Sequence, residues 1–155
     1  MPEPDATLRR FLGYDMKRAF AVIQTDVNAV LAPFGLRMVT FSVLVVIRDN
    51  PRLKQTQLAD ILSIERPNLV LMLDELEKAK AVVRARAPDD RRAHEISVTL
   101  QGRQLCDRAL QAVAEHDARM GAGLSDDDRD ALHKAMRIIQ RNGGTVDVRG
   151  KISRS

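Results

Sequence analysis

Three groups of side chains in this chain have types and spacing suited to binding chemistry. The first is Asp90-Arg91-Arg92, which ends a stretch from Arg84 to Arg92 holding four basic and two acidic residues. Guanidinium groups on a protruding tip pair with phosphates. A narrow groove lined by A·T pairs concentrates negative potential where an arginine can insert. The second group is Glu65-Arg66-Pro67-Asn68. Asparagine matches the adenine edge with two hydrogen bonds, and arginine matches guanine or a phosphate. The third is Gln55-Thr56-Gln57. At the start of a helix these residues offer side-chain and backbone donors to a phosphate, or cap the helix themselves.

Catalytic and metal-binding patterns are missing. No glycine-rich phosphate loop, nucleophile elbow or H-E-x-x-H motif occurs, so no enzyme is expected. His94, His116 and His133 have no Cys or His partner at ligand spacing, so neither a metal site nor a cofactor is expected. Cys106 is alone, which excludes an internal disulfide and fits a reducing compartment. Arg103 and Arg108 are near it in sequence and would lower its pKa. The preferred reading is a small core or helix-face residue.

The elements that must position these groups follow from periodicity. Apolar residues recur at helical spacing from Leu8 to Leu31, which predicts one long helix ended by Pro33 and Gly35. A second helix, apolar nearly all round and hence buried, is expected from Val39 to Arg48. Asp49-Asn50-Pro51 reads as a turn. Gln55 to Leu62 forms a short helix. Ser63 to Arg66 breaks the pattern, and Pro67 suits the first turn of a helix reaching Lys80.

The period then falls to two. Val83, Ala85 and Ala87 alternate with Arg84 and Arg86, and Ile96, Val98 and Leu100 alternate with Glu95, Ser97 and Thr99. Two strands around a charged tip make a hairpin, with Arg84 and Arg86 on one face suited to phosphates. Helical spacing returns from Leu100 to Met120. After a Gly121-Ala122-Gly123 break, Ser125 and Asp128 resemble a capping box that opens a last helix over 126–141. That helix is expected to bury Leu132, Ala135, Met136 and Ile139. Residues 145–155 read as a frayed polar tail.

Two helices joined by a short turn and followed by a hairpin form a winged helix-turn-helix. Within that frame Gln57-Leu58-Ala59, Leu73-Asp74-Glu75-Leu76-Glu77 and above all Asp90-Arg91-Arg92-Ala93 with Ser97, Thr99 and Gly102-Arg103 resemble the MarR (multiple antibiotic resistance regulator) family of bacterial transcription factors. The resemblance spans residues 8–142 in element order. It implies a single, mainly α domain with a small β-hairpin wing. The winged helix-turn-helix would occupy about 38–103. Dimerisation helices would flank it at about 8–35 and 104–142, with a flexible tail over 143–155.

By the same resemblance, the chain is expected to act as a homodimeric repressor on pseudo-palindromic double-stranded DNA and to respond to a small effector. The Asp90 carboxylate is expected to orient the Arg92 guanidinium, leaving Arg91, with Arg92 as the alternative, to enter the minor groove. Leu71 stands where the resemblance leads one to expect a basic residue. It meets a thymine methyl, or the helix packs on something else. Lys80 stands where glycine is expected to close the helix. Leu8, Phe11, Leu12 and the Leu132–Ile139 face are expected to bury one another across a two-fold axis. The resemblance also places an effector pocket between the dimer helices and the winged core. Tyr14, Lys17, Arg18, Arg37, Met38 and Phe41 are the candidates to line it, and an apolar space with a few cations fits an aromatic carboxylate or its coenzyme A thioester.

Composition bounds these readings. The chain has 155 residues, one ordinary domain, with 45% hydrophobic and 30% charged side chains. Its net charge of +4 is spread evenly, so any basic face must come from local placement. The longest apolar stretch, Val39 to Ile47, is far short of the ~20 residues that span a bilayer. The start Met1-Pro2-Glu3-Pro4-Asp5 lacks the features of a signal peptide, so a cytoplasmic location is expected. The rival reading is a winged-helix module that binds protein through its apolar Leu69–Leu73 helix.

Overall fold

The computed structural model describes residues 3–146 and 152–153. Its elements are a 3₁₀ turn (Leu8–Arg10), α1 (Leu12–Leu31), a second 3₁₀ turn (Ala32–Phe34), α2 (Met38–Asp49), β1 (Leu53–Lys54), α3 (Gln55–Leu62), α4 (Arg66–Lys78), β2 (Val82–Arg86), β3 (His94–Val98), α5 (Leu100–Met120), α6 (Asp126–Gly143), β4 (Thr145–Val146) and β5 (Ile152–Ser153). Strands β1, β3 and β2 form one antiparallel sheet in that order. This is a winged helix-turn-helix within a mainly α chain, as the periodicity implies.

The hydrophobic core centres on α2, whose Val43, Leu44 and Ile47 are fully buried. Leu58 from α3, Leu69 and Leu73 from α4, Ile96 from β3, Cys106 and Ala109 from α5, and Leu31 from α1 close around it. Helices α1, α2, α4 and α5 supply buried residues three or four apart, as one face of a 3.6-residue period requires. Among the described residues no single helix is long and apolar enough to cross a membrane.

Several joins depart from the sequence reading. The first helix is not continuous from Leu8: Phe11 is extended (φ −108°, ψ 125°) and α1 starts at Leu12. The Asp5 carboxylate bridges the break, accepting hydrogen bonds from Arg9 Nε at 3.1 Å on one side and Tyr14 Oη at 2.6 Å on the other. Strand β1, a two-residue edge, was not legible as a strand. Leu100 does not continue the hairpin. It opens α5 and is 74% exposed. Segment 145–155 was expected to be a tail, but Thr145–Val146 pairs with Ile152–Ser153. Residues 147–151 and 154–155 lie outside the described residues.

The inward face of β2 is shifted by one residue from the expected one. Val82 is buried and Val83 half exposed. Arg84 stands opposite Ile96 in the pairing register, so it shares the core-side face. The cause lies at the end of α4. Lys80 adopts a left-handed conformation (φ 58°). The Ala81 amide donates to the Leu76 carbonyl and the Lys80 amide to the Glu77 carbonyl, both at 2.9 Å. This is the paired hydrogen-bond pattern that usually recruits glycine. Here lysine carries it, so the join keeps the shape that glycine would give and fixes which strand residues face in.

Candidate nucleic-acid interface

The hairpin is anchored where β2 begins and β3 ends. Thr99 caps α5: its Oγ1 accepts from the Gly102 amide at 2.9 Å and donates to the Lys80 carbonyl at 2.6 Å. The Thr99 amide donates to the Ala81 carbonyl at 3.0 Å. Gly102 packs so tightly on Ala81 that a Cβ there would overlap the Ala81 carbonyl. The Gly102-Arg103 signal in the sequence is thus a close backbone approach that holds the wing to α5.

The wing tip is built differently from the expected pair. The Asp90 Oδ1 accepts the Arg92 backbone amide at 2.9 Å, so this carboxylate closes the turn and does not hold the Arg92 guanidinium. Short polar side chains reach backbone two residues on more easily than a long side chain's end, and the tip is tight enough to favour that bond. Arg91 and Arg92 are both exposed. A contact from Lys54 Nζ to Asp89 Oδ2 at 3.3 Å ties the wing to the N-terminus of α3. Hydrogen bonds from its own backbone and then from Lys54 hold the Asp89 carboxyl below the usual range.

One recess unites residues from three elements. Gln55 and Thr56 come from α3, Arg66 and Leu69 from α4, and Arg92, Ala93 and His94 from the wing. Gln55 and Thr56 open α3, Arg66 opens α4 and Arg92 comes from the wing, a set of two guanidinium groups and two polar side chains chemically suited to phosphate oxygens. Asn68 is exposed on the first turn of α4, and Leu71 is 62% exposed one turn on. Arg86 is exposed on β2 opposite His94. The recess residue missed by sequence reasoning is His94, weighed only as a metal ligand. Pairing Arg86 with it across the hairpin was the available signal.

Two expected contact residues have other work. The Gln57 Oε1 accepts the Lys54 amide at 3.0 Å, so its carbonyl caps α3. Arg84, expected to meet phosphates, is turned toward α4. It pairs with Asp74 and, at 2.6 Å, with Glu77, and its side chain is 21% exposed. The Arg84 guanidinium holds the Glu77 carboxyl below its usual range. An arginine so engaged has little left to neutralise a phosphate.

The residues expected to line an effector pocket divide. Tyr14 and Arg18 lie together, Arg18 Nη1 donating to Tyr14 Oη at 3.3 Å while the guanidinium stacks 5.8 Å from the ring centre. Lys17 is exposed on the same helix. Arg37 Nη2 donates to both carboxylate oxygens of Glu75 in α4, at 2.9 and 3.2 Å. The Met38 amide donates to Asn28 Oδ1 at 2.8 Å, and Met38 and Phe41 pack against the core.

Cys106 is fully buried, and burial pushes its thiol up in pKa. Arg48, 3.9 Å from Sγ, is the cation beside it, so the expected influence of Arg103 and Arg108 is corrected. The sequence also did not reveal a polar joint between α1 and α5. His116, 3% exposed, sits with Nδ1 2.8 Å from Asp26 Oδ2, and Arg119 pairs with the same oxygen. The His116 hydrogen bond and then Arg119 hold the Asp26 carboxyl below its ordinary value. Among the described residues no group of three metal-ligating side chains gathers.

Comparison with known proteins bears on this geometry. A family model described as the MarR family matches residues 36–94, from the start of α2 to the second wing strand. A helix-turn-helix-type transcriptional repressor of Mycobacterium bovis is 34% identical over 114 residues, 74% of this chain and 82% of that protein. The transcriptional repressor CouR bound to a 23-mer DNA duplex is similar at a TM-score of 0.83, with 40% identity over 87% of this chain and 96% of CouR. CouR bound to p-coumaroyl-CoA gives 0.78, with 38% identity over 88% and 95%.

Proposed function

The chain belongs to the MarR family, and from that premise we propose that it is a ligand-responsive transcriptional repressor that binds a pseudo-palindromic DNA duplex as a homodimer. The observation that carries this reading is the convergence of Gln55, Thr56, Arg66 and Arg92 on one recess, beside exposed Asn68. The recess grips phosphates, and the first turn of α4 lies in the major groove. Because Arg92 belongs to the recess, Arg91 remains at the tip to enter the minor groove. Arg86 supports the wing on the backbone. Arg84 and the carbonyl of Gln57 hold the fold and do not contact DNA.

Dimerisation has support in the exposed apolar side chains. Among the described residues helix α6 buries none of its side chains within the chain, leaving Leu132, Ile138 and Ile139 exposed. Phe11, Leu12 and Phe20 at the other end are likewise exposed. The expected burial of Leu132, Ala135, Met136 and Ile139 does not occur inside one chain, and a second copy supplies the missing surface. The effector is an aromatic acid or its coenzyme A thioester, a reading supported by the likeness to CouR with p-coumaroyl-CoA. Tyr14, Lys17, Arg18 and Arg37 offer cations and a ring for it, Arg37 by releasing Glu75.

Selection of bound duplexes from random DNA, followed by titration across a salt series, tests the reading. Enriched sites should be two-fold symmetric. Affinity should fall steeply with salt, because neutralised phosphates release counterions. Aromatic thioesters should lower the affinity. A flat salt response would return the protein-binding alternative.

A further inference from the structure

Helix α4 contains five consecutive apolar residues, Leu69 to Leu73, and folding accounts for only some of them. Leu69 and Leu73 are fully buried, while Leu71 is 62% exposed. Leu71 stands three residues after Asn68, so the two share the outward face. On the N-terminal side of this face lies the cationic recess with Arg66 and Arg92. On the C-terminal side the next turn carries Asp74 and Glu75, which pair with Arg84 and Arg37. These closed ion pairs offer a polyanion no cation, so the surface suited to a groove ends at Leu71.

Leucine has no hydrogen-bonding group. Against guanine or cytosine edges it would strip water from donors and acceptors and return nothing. The apolar feature in the major groove is the 5-methyl of thymine. Three residues advance a helix by about 4.5 Å and one base pair by about 3.4 Å, so Asn68 and Leu71 fall on neighbouring base pairs. We propose that α4 reads adjacent A·T pairs, Asn68 taking an adenine edge and Leu71 packing on a thymine methyl. This rests on the DNA-binding function proposed above. The cationic rim on one side and the ion-paired turn on the other confine the leucine to that contact.

The experiment uses duplexes enriched from random DNA by the full chain, resynthesised with deoxyuridine for every thymidine. This removes the methyl and leaves the pairing edges intact. The unaltered protein should lose about fourfold in affinity per methyl read, or roughly 15-fold over two half-sites. Leu71→Ala, at an exposed position, should weaken binding to the thymidine duplex by a similar factor and no longer distinguish the two duplexes. An unaltered protein indifferent to the methyl, or a Leu71→Ala variant that keeps full discrimination, overturns the proposal and leaves DNA binding standing. Failure to enrich any duplex overturns both.

Discussion

In the proposed complex Asn68 and Arg91 make two kinds of contact. Asn68 lies exposed on the first turn of α4, and as the proposed base reader its change Asn68→Ala should cost about 1–3 kcal/mol at an enriched site and less on random DNA. Equal losses on both would place Asn68 on the backbone. Arg91→Ala should weaken binding to A·T-flanked sites most, without changing the oligomeric state. Titration on duplexes with G·C flanks is the check, and equal losses would count against minor-groove insertion. Cys106 supplies a different expectation. Buried and raised in pKa, its thiol should alkylate slowly in the native chain and fast once unfolded. Rapid native labelling, followed by mass spectrometry, would contradict its place in the core.

Among the elements, the joins decide more than the helices do. Lys80 holds a left-handed conformation that glycine adopts without strain. Lys80→Gly should therefore stabilise the chain by about 1 kcal/mol, less any gain in unfolded-chain entropy. Urea unfolding midpoints measure it, and a clear loss of stability would mean the lysine side chain has a role of its own. The same join sets the phase of β2. The alternation of Val83, Ala85 and Ala87 with Arg84 and Arg86 made a strand legible, but both faces carried plausible residues. With the phase set by the join, Arg84 faces α4 and pairs there with Asp74 and Glu77. Helix limits at α4, α5 and α6 are readable because Pro67, Thr99, Gly121 and Ser125 mark them locally. The Ser125–Asp128 box at the start of α6 is such a case, its Oγ accepting the Asp128 amide at 3.1 Å.

At the scale of the whole molecule, the winged core is closed while the terminal helices are not. Among the described residues nothing of its own chain covers the apolar side of α6, where Leu132 and Ile139 are exposed. Leu132→Glu with Ile139→Glu should convert the dimer to monomer and reduce affinity for a two-fold site far more than for a half-site. Sedimentation and titration read the two effects. A double variant still dimeric would move the interface elsewhere. The geometry matters for function because a dimer places its two α4 helices about 34–36 Å apart, one turn of duplex.

The sequence by itself determined the order of elements, the wing and the family resemblance. Each of these depends on local period, on turn residues and on which side chains neighbour one another along the chain. Tertiary structure alone decided how the charges are used. Arg84 was drawn to Asp74 and Glu77, Asp90 to a backbone amide, and Gln57 to the start of α3, while Arg66 and Arg92 were brought to one recess. A charged side chain pairs with whatever the fold sets across from it in space, and periodicity along the chain carries no record of that partner.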